Sequence, residues 1–109
     1  MLDAPPDPPL EATKKFLHTY VSDAPSMDWI RQDVRRMVAR NARSIIAGLL
    51  GIEGILADPP DVAGTFSHLI AYDANWVIDD PSDEGAKIWL SSLATLLREE
   101  LGDKAPPRR

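Results

Sequence analysis

The chain of 109 residues contains no cysteine and only two histidines. The absence of cysteine excludes disulfides, thiol nucleophiles and cysteine-ligated metals. His18 and His68 have no carboxylate or second histidine four residues away, so the helical spacing of a metal-binding pair is missing. Phosphate-binding glycine loops and a serine in a nucleophile elbow are missing as well. We therefore expect no metal, no cofactor and no catalytic residues, and we do not expect an enzyme.

Long apolar runs are also missing. The most apolar stretch, residues 44–57, is shorter than the roughly 20 residues that cross a bilayer, and Glu53 interrupts it. The N-terminus is acidic and rich in proline, which is unlike the basic and then apolar start of a secretory signal. We expect a cytoplasmic protein that does not contact membranes.

The length corresponds to one domain with one core. Prolines at positions 5, 6, 8 and 9 predict a flexible lead over residues 1–9, and residues 103–109 are expected to form a flexible polar tail. The helical domain is predicted over residues 10–102. Apolar residues recur there at steps of three and four, so we expect an all-α domain of about four helices.

The first two helices are predicted from their apolar stripes and from the residues at which they begin and end. The first is expected from Leu10 to Val21. The second begins after Ser26, a favourable N-cap residue, and its apolar stripe continues without a change of phase to Ala57. We favour one long helix, although glycines at 48, 51 and 54 allow a break there. Within a helix, these glycines indicate the close approach of another helix.

Two further helices follow the Asp58-Pro59-Pro60 stop. One is predicted over residues 61–72, and residues 73–81 form a connection in which Trp76 and either Val77 or Ile78 are expected to be buried. The last helix begins after Ser82 as N-cap and ends at Gly102. Residues 73–84 partly follow the spacing of a calcium loop, but apolar side chains occupy two of its critical positions, and we reject that interpretation.

Charge is distributed unevenly along the chain. Residues 28–43 contain five arginines and two aspartates, whereas residues 45–86 contain eight acids and no lysine or arginine. Such asymmetry produces a field that steers a charged partner. Some of these acids are expected to cap helices. Acids beside aromatics in the 73–81 connection favour a protein-binding surface, for which the candidate partner-binding residues are Tyr72, Asp73, Asp79, Asp80, Asp83 and Glu84.

The C-terminal third resembles small helical immunity proteins of contact-dependent growth inhibition and related polymorphic toxin systems. The resemblance lies in residues 80–86, Asp-Pro-Ser-Asp-Glu-Gly-Ala, followed by Trp89-Leu90, Leu93 and Leu97. The Gln-Asp-Trp core of many members has its nearest counterparts in Met27-Asp28-Trp29 and Asp73-Ala74-Asn75-Trp76, and neither is identical to it. The resemblance implies a non-enzymatic cytoplasmic protein that binds the C-terminal toxin domain of a cognate effector, often a nuclease, and blocks it.

Three hypotheses follow from these patterns. The first is an immunity protein, a monomer or weak homodimer, whose acidic surface binds a basic toxin domain without contacting nucleic acid. The second is a small regulatory nucleic-acid-binding or adaptor domain that uses the arginines of residues 31–43. The third is a self-associating helical domain in which the glycines of residues 48–54 form the seam between two copies.

Overall fold

The computed structural model describes residues 7–107, and all regular secondary structure in that range is helical. We name five helices in chain order: α1 (Pro9–Phe16), α2 (Met27–Arg40), α3 (Arg43–Ala57), α4 (Thr65–His68) and α5 (Asp83–Leu101). The prediction of an all-α domain with one core is confirmed. The number of helices exceeds the expected four because the predicted long helix is two helices.

The first helix ends in a wide turn. Its start at Pro9 suits proline, which has no amide hydrogen to leave unpaired at a helix N-terminus. After Phe16 the helix widens to a π-helical turn over Leu17–Val21, closed by the Ser22 N–H donating to the Leu17 carbonyl at 2.9 Å. The whole helical stretch therefore reaches Val21, as the sequence predicts, and its inner face buries Phe16, Leu17 and Val21.

The predicted continuous helix over residues 26–57 is wrong. The chain leaves the helical conformation at Asn41, whose φ of −165° and ψ of 112° are extended. The Asn41 side chain then accepts a hydrogen bond from the Arg43 N–H at 3.0 Å, which starts α3. Asparagine favours such local bonds over a helix interior. The break therefore lies before the glycines, and residues 48–54 remain helical.

The glycines of α3 permit close contact with α1, as their spacing predicts. A Cβ at Gly51 would lie 2.8 Å from the Cβ of Ala12 and 3.0 Å from the Pro9 carbonyl oxygen. A Cβ at Gly48 would overlap the ring of Phe16. Because this seam is filled by α1, it is closed to a second copy, and the hypothesis of a glycine dimer seam is corrected.

The helix predicted to start at Asp61 starts four residues later, at Thr65. Gly64 has a φ of +85°, which lies outside the right-handed helical region and delays the helix. The helix then continues past His68 as a second π-helical turn, Leu69–Asp73. Asn75 (φ +55°) ends it, and the Trp76 N–H donates to the Ile70 carbonyl at 3.0 Å.

The last helix and its boundaries are confirmed. The Ser82 side chain accepts from the Gly85 N–H at 3.3 Å, and Gly102 takes a positive φ of 54° just after the helix. Its buried face consists mainly of leucines, namely Leu90, Leu93, Leu96, Leu97 and Leu101. Each fully buried leucine stabilises the fold by roughly 1.5–3 kcal/mol, so α5 is a principal support of the core.

Polar contacts attach the C-terminal segment to this core. A 3-10 turn follows α5 over Gly102–Lys104, and Lys104 Nζ donates to the Val38 carbonyl at 3.1 Å. The guanidinium of Arg98 bonds to both carboxylate oxygens of Glu53 at 2.6 Å and to the Pro106 carbonyl at 2.7 Å.

Residues 1–6 of the predicted lead and 108–109 of the predicted tail lie outside the described residues. Among the helices described here, none has the length and apolarity required to cross a membrane.

Candidate functional site

An open groove of about 370 Å³ lies where the chain turns from α4 into the connection before α5. One wall comes from α4 and the turns beside it, and consists of Gly64, Ser67, His68, Ile70, Ala71 and Tyr72. The other wall comes from the connection, and consists of Trp76, Val77, Ile78 and Pro81. We call this the Tyr72 groove. It contains the aromatic anchor that the sequence predicted and lies within the acidic part of the chain.

Large apolar side chains are open to solvent in this groove. Tyr72 is 71% exposed and Val77 is 99% exposed. The His68 ring stacks on Tyr72 with centroids 4.4 Å apart, and so holds the tyrosine in place. Of the two alternatives that the sequence left open for burial, Ile78 packs partly against the core and Val77 is exposed. Exposed apolar side chains grouped at a concave surface are typical of interaction sites.

Trp76 forms the fixed back of the groove. Its Nε1 donates to the Val21 carbonyl at 3.0 Å, and its ring lies 5.3 Å from that of Trp89. The side chain is partly buried against the core, close to the prediction, whereas Trp29 on α2 is 49% exposed. Because its only polar group is already paired, Trp76 offers the groove an apolar surface.

Asp79 and Asp80 lie between two lining residues, Ile78 and Pro81. Asp80 Oδ1 accepts from the Ser82 hydroxyl at 2.6 Å and from its N–H at 3.1 Å, and these bonds lower the pKa of Asp80. Asp79 is exposed, and its carboxylate makes no hydrogen bond within residues 7–107. Gly85 lets α5 lie directly against the Asp80 backbone, because a Cβ at that position would overlap the Asp80 carbonyl oxygen. These two acids adjoin the lining residues Ile78 and Pro81 in the chain, and we call Asp79 and Asp80 the rim of the groove.

Asp83 joins α4 to α5 instead of facing a partner. Its carboxylate accepts from the Ser67 N–H at 2.9 Å and from the Gly64 N–H at 2.8 Å, and so caps the N-terminus of α4 from another helix. These backbone bonds, first that of Ser67 and then that of Gly64, lower the pKa of Asp83. Both oxygens are occupied, and the adjacent Glu84 is exposed, 3.3 Å from the amino group of Lys87.

Asp73 also has an internal partner. Its Oδ1 lies 2.8 Å from His18 Nε2, which links the two π-helical turns beneath the groove. Its Oδ2 is buried without a hydrogen bond within the described part of the chain. The sequence separation of 55 residues left no local signal for this pair. Tyr72, Asp79, Asp80 and Glu84 therefore lie at the surface, while Asp73 and Asp83 are engaged in the fold.

Two of the four arginines of α2, Arg31 and Arg35, are paired with acids of α5. Arg35 and Arg31 both bond to the Glu100 carboxylate, at 2.7 Å and 2.8 Å, and Arg31 also bonds to Glu99 at 2.9 Å. The bond from Arg35, together with that from Arg31, lowers the pKa of Glu100. A phosphate that used Arg31 or Arg35 would have to displace these carboxylates.

Replacing Asp83 with asparagine is expected to lower the melting temperature at neutral pH. The amide retains one acceptor oxygen for two backbone donors, so one partly buried N–H loses its partner. Because the pKa of Asp83 is lower in the folded protein, its stabilisation is complete above the ordinary aspartate pKa of about 3.9 and is lost as the pH falls through the folded value. Thermal unfolding from pH 7 to pH 2.5 measures this.

The control for that variant is Glu84→Gln, which removes the neighbouring charge on the same helical turn but no backbone cap. Its melting temperature should remain close to that of the natural chain across the same pH range. An Asp83→Asn protein as stable as the Glu84→Gln protein at pH 7 would contradict the capping role.

No family model, no curated protein and no solved structure matches this chain. Within residues 7–107 there is also no group of three or more histidine and acidic side chains that could hold a metal ion. The function therefore has to be inferred from the Tyr72 groove and its charges.

Proposed function

We propose that this chain is an immunity protein that binds and neutralises a cognate toxin domain in the bacterial cytoplasm. The observation that carries the proposal is an apolar groove with exposed Tyr72 and Val77, in which the lining residues Ile78 and Pro81 are joined in the chain by Asp79 and Asp80. The groove supplies the apolar contact that holds a complex together, and the acids supply the attraction that brings it together.

The charge of the groove favours a basic partner. All residues from 45 to 86 lack lysine and arginine, so no cation of that stretch offsets the rim acids. Nucleases hold phosphates with lysine and arginine, and an acidic protein competes for the same side chains. The resemblance of residues 80–97 to immunity proteins of polymorphic toxin systems agrees with this choice of partner.

The pairing of the α2 arginines is why we do not carry the nucleic-acid alternative forward. Arg31 and Arg35 are bonded to Glu99 and Glu100, and carboxylates beside these guanidiniums repel a phosphate backbone. A protein ligand at the Tyr72 groove requires no such rearrangement.

Growth rescue tests the proposal. The C-terminal domain encoded by the adjacent upstream gene is expressed in a tester bacterium, with and without this chain. We expect the domain to stop growth and this chain to restore it. Restoration should require complex formation, which co-purification of the two proteins measures.

A variant with Asp79→Lys and Asp80→Asn, produced at the same level as the natural chain, tests the role of the two acids. This variant should rescue poorly because its rim no longer attracts a basic surface. A toxic domain that continues to kill in the presence of the natural chain contradicts the proposed function.

A further inference from the structure

We infer that the Tyr72 groove receives an arginine side chain from a segment of the partner, as the central contact of the complex. This inference rests on the proposed function and specifies how the groove recognises a basic protein. It follows from three features of the groove: an apolar lining, an aromatic face and carboxylates at the rim.

The lining suits the aliphatic stem of arginine. Ile70, Trp76 and Ile78 give the groove an apolar surface, and Val77 adds an almost completely exposed side chain at its edge. Long cationic side chains bury their methylene groups on such surfaces while the charged end reaches polar groups. A compact apolar side chain would use the lining but not the charges beside it.

The aromatic wall suits the flat guanidinium. His68 covers one face of the Tyr72 ring at a centroid distance of 4.4 Å, and the 71% exposure of Tyr72 leaves the rest of the ring open. A guanidinium stacks on an aromatic ring through cation–π attraction and planar contact. The more strongly hydrated ammonium of lysine lacks the planar contact.

The carboxylates beside the groove favour a ligand that donates hydrogen bonds. Two donors of the lining are already used: the Ser67 hydroxyl donates to the Gly64 carbonyl at 3.0 Å, and the Trp76 indole donates to Val21. The carboxylate of Asp79 and the second oxygen of Asp80 have no hydrogen bond within residues 7–107 and are left to accept. Arginine carries five N–H donors and no acceptor, which fits this arrangement.

An NMR titration of the full chain with short peptides tests the inference. The probes are acetyl-Gly-Arg-Leu-Gly-amide and the same peptide with lysine or with uncharged citrulline in place of arginine. We expect the arginine peptide to shift the backbone amide signals of Tyr72, Val77 and Ile78. We expect it to bind about fivefold to tenfold more tightly than either analogue. N-acetylarginine methylamide, added separately, shows how much the flanking peptide contributes.

Two substitutions locate the binding. Tyr72→Leu keeps an apolar side chain but removes the ring, and should bring the affinities for arginine and lysine peptides close together. The control is Trp29→Leu, which removes an exposed aromatic from α2 and should leave the preference for arginine unchanged. Circular dichroism establishes that both variants are folded.

Several results overturn the inference. One is that the arginine and lysine peptides bind with equal affinity. Others are amide shifts that lie outside the groove, or no shift with any peptide at millimolar concentration. The last is that Tyr72→Leu and Trp29→Leu change the preference for arginine equally. Failure here is distinguishable from failure of the proposed function. Growth rescue without arginine preference removes only this inference, whereas arginine preference without rescue leaves the groove as an arginine site and removes the immunity function.

Discussion

Replacing Gly51 with alanine is expected to lower the free energy of unfolding by about 2 kcal/mol. In most exposed helices this substitution is favourable by about 1 kcal/mol. Here the added Cβ would lie 3.0 Å from both the Pro9 carbonyl oxygen and the Thr13 nitrogen, which belong to the backbone of α1. Overpacking of this kind costs up to about 3 kcal/mol, because a backbone yields less readily than a side chain.

The double variant Gly48→Ala/Gly51→Ala should lose about 3 kcal/mol, less than twice the single effect. Both substitutions displace the same helix α1, so the second acts on a contact that the first has already weakened. Urea denaturation followed by circular dichroism measures each value. The control is Leu50→Gln on the outer side of α3, which is 49% exposed and should change the stability by about 0.5 kcal/mol or less. Glycine variants as stable as this control would show that α1 and α3 do not require the close contact.

Reversing the charge at the groove rim is expected to slow capture of the toxin domain about tenfold or more at low ionic strength. The variant combines Asp79→Lys with Asp80→Asn, a change of three charges. Asparagine at position 80 keeps an oxygen for the bonds to Ser82 and so preserves the backbone of the rim. Long-range attraction determines how often two proteins meet in the correct orientation, so the association rate should fall more than the dissociation rate rises.

A control with the same net charge separates the local field from total charge. Asp103→Lys with Asp58→Asn also changes three charges, at two residues that do not line the groove. About 28 Å of α5 separates the groove end of that helix from Asp103.

Stopped-flow association across a salt series distinguishes the two variants. The rim variant should be the slower at low salt, and the difference should shrink near 1 M salt, where the screening length is about 3 Å. Equal association rates for the rim variant and the control variant would remove the acidic rim from the mechanism of capture, while leaving the apolar contacts of Tyr72 and Val77 to be tested separately.

The sequence predicts an element correctly where its apolar stripe and its boundary residues lie close together in the chain. The stripe of leucines, the Ser82 cap and Gly102 define α5, and all three act within a few residues of the helix. The spacing of Gly48, Gly51 and Gly54 likewise indicates close helix contact before the identity of the neighbour is known.

The periodicity of the apolar residues alone did not reveal the break between α2 and α3. Hydrophobic periodicity continues through Asn41 because both helices pack against the same core. The signal that was present is the asparagine itself, whose side chain accepts a hydrogen bond from the Arg43 N–H at the start of the following helix. In this case a local hydrogen bond outweighs the continuity of the apolar pattern.

Residue types and their spacing are enough to establish the helical class, the close helix contact at the glycines and the acidic character of the middle of the chain. Which acids remain available at the surface depends on how the helices pack. Asp73 is engaged by His18, and Asp83 by the backbone of Gly64 and Ser67, whereas Asp79 points to solvent. The physical reason is that a carboxylate near unpaired donors is stabilised by bonding to them, and folding brings donors from distant positions to some acids and not to others.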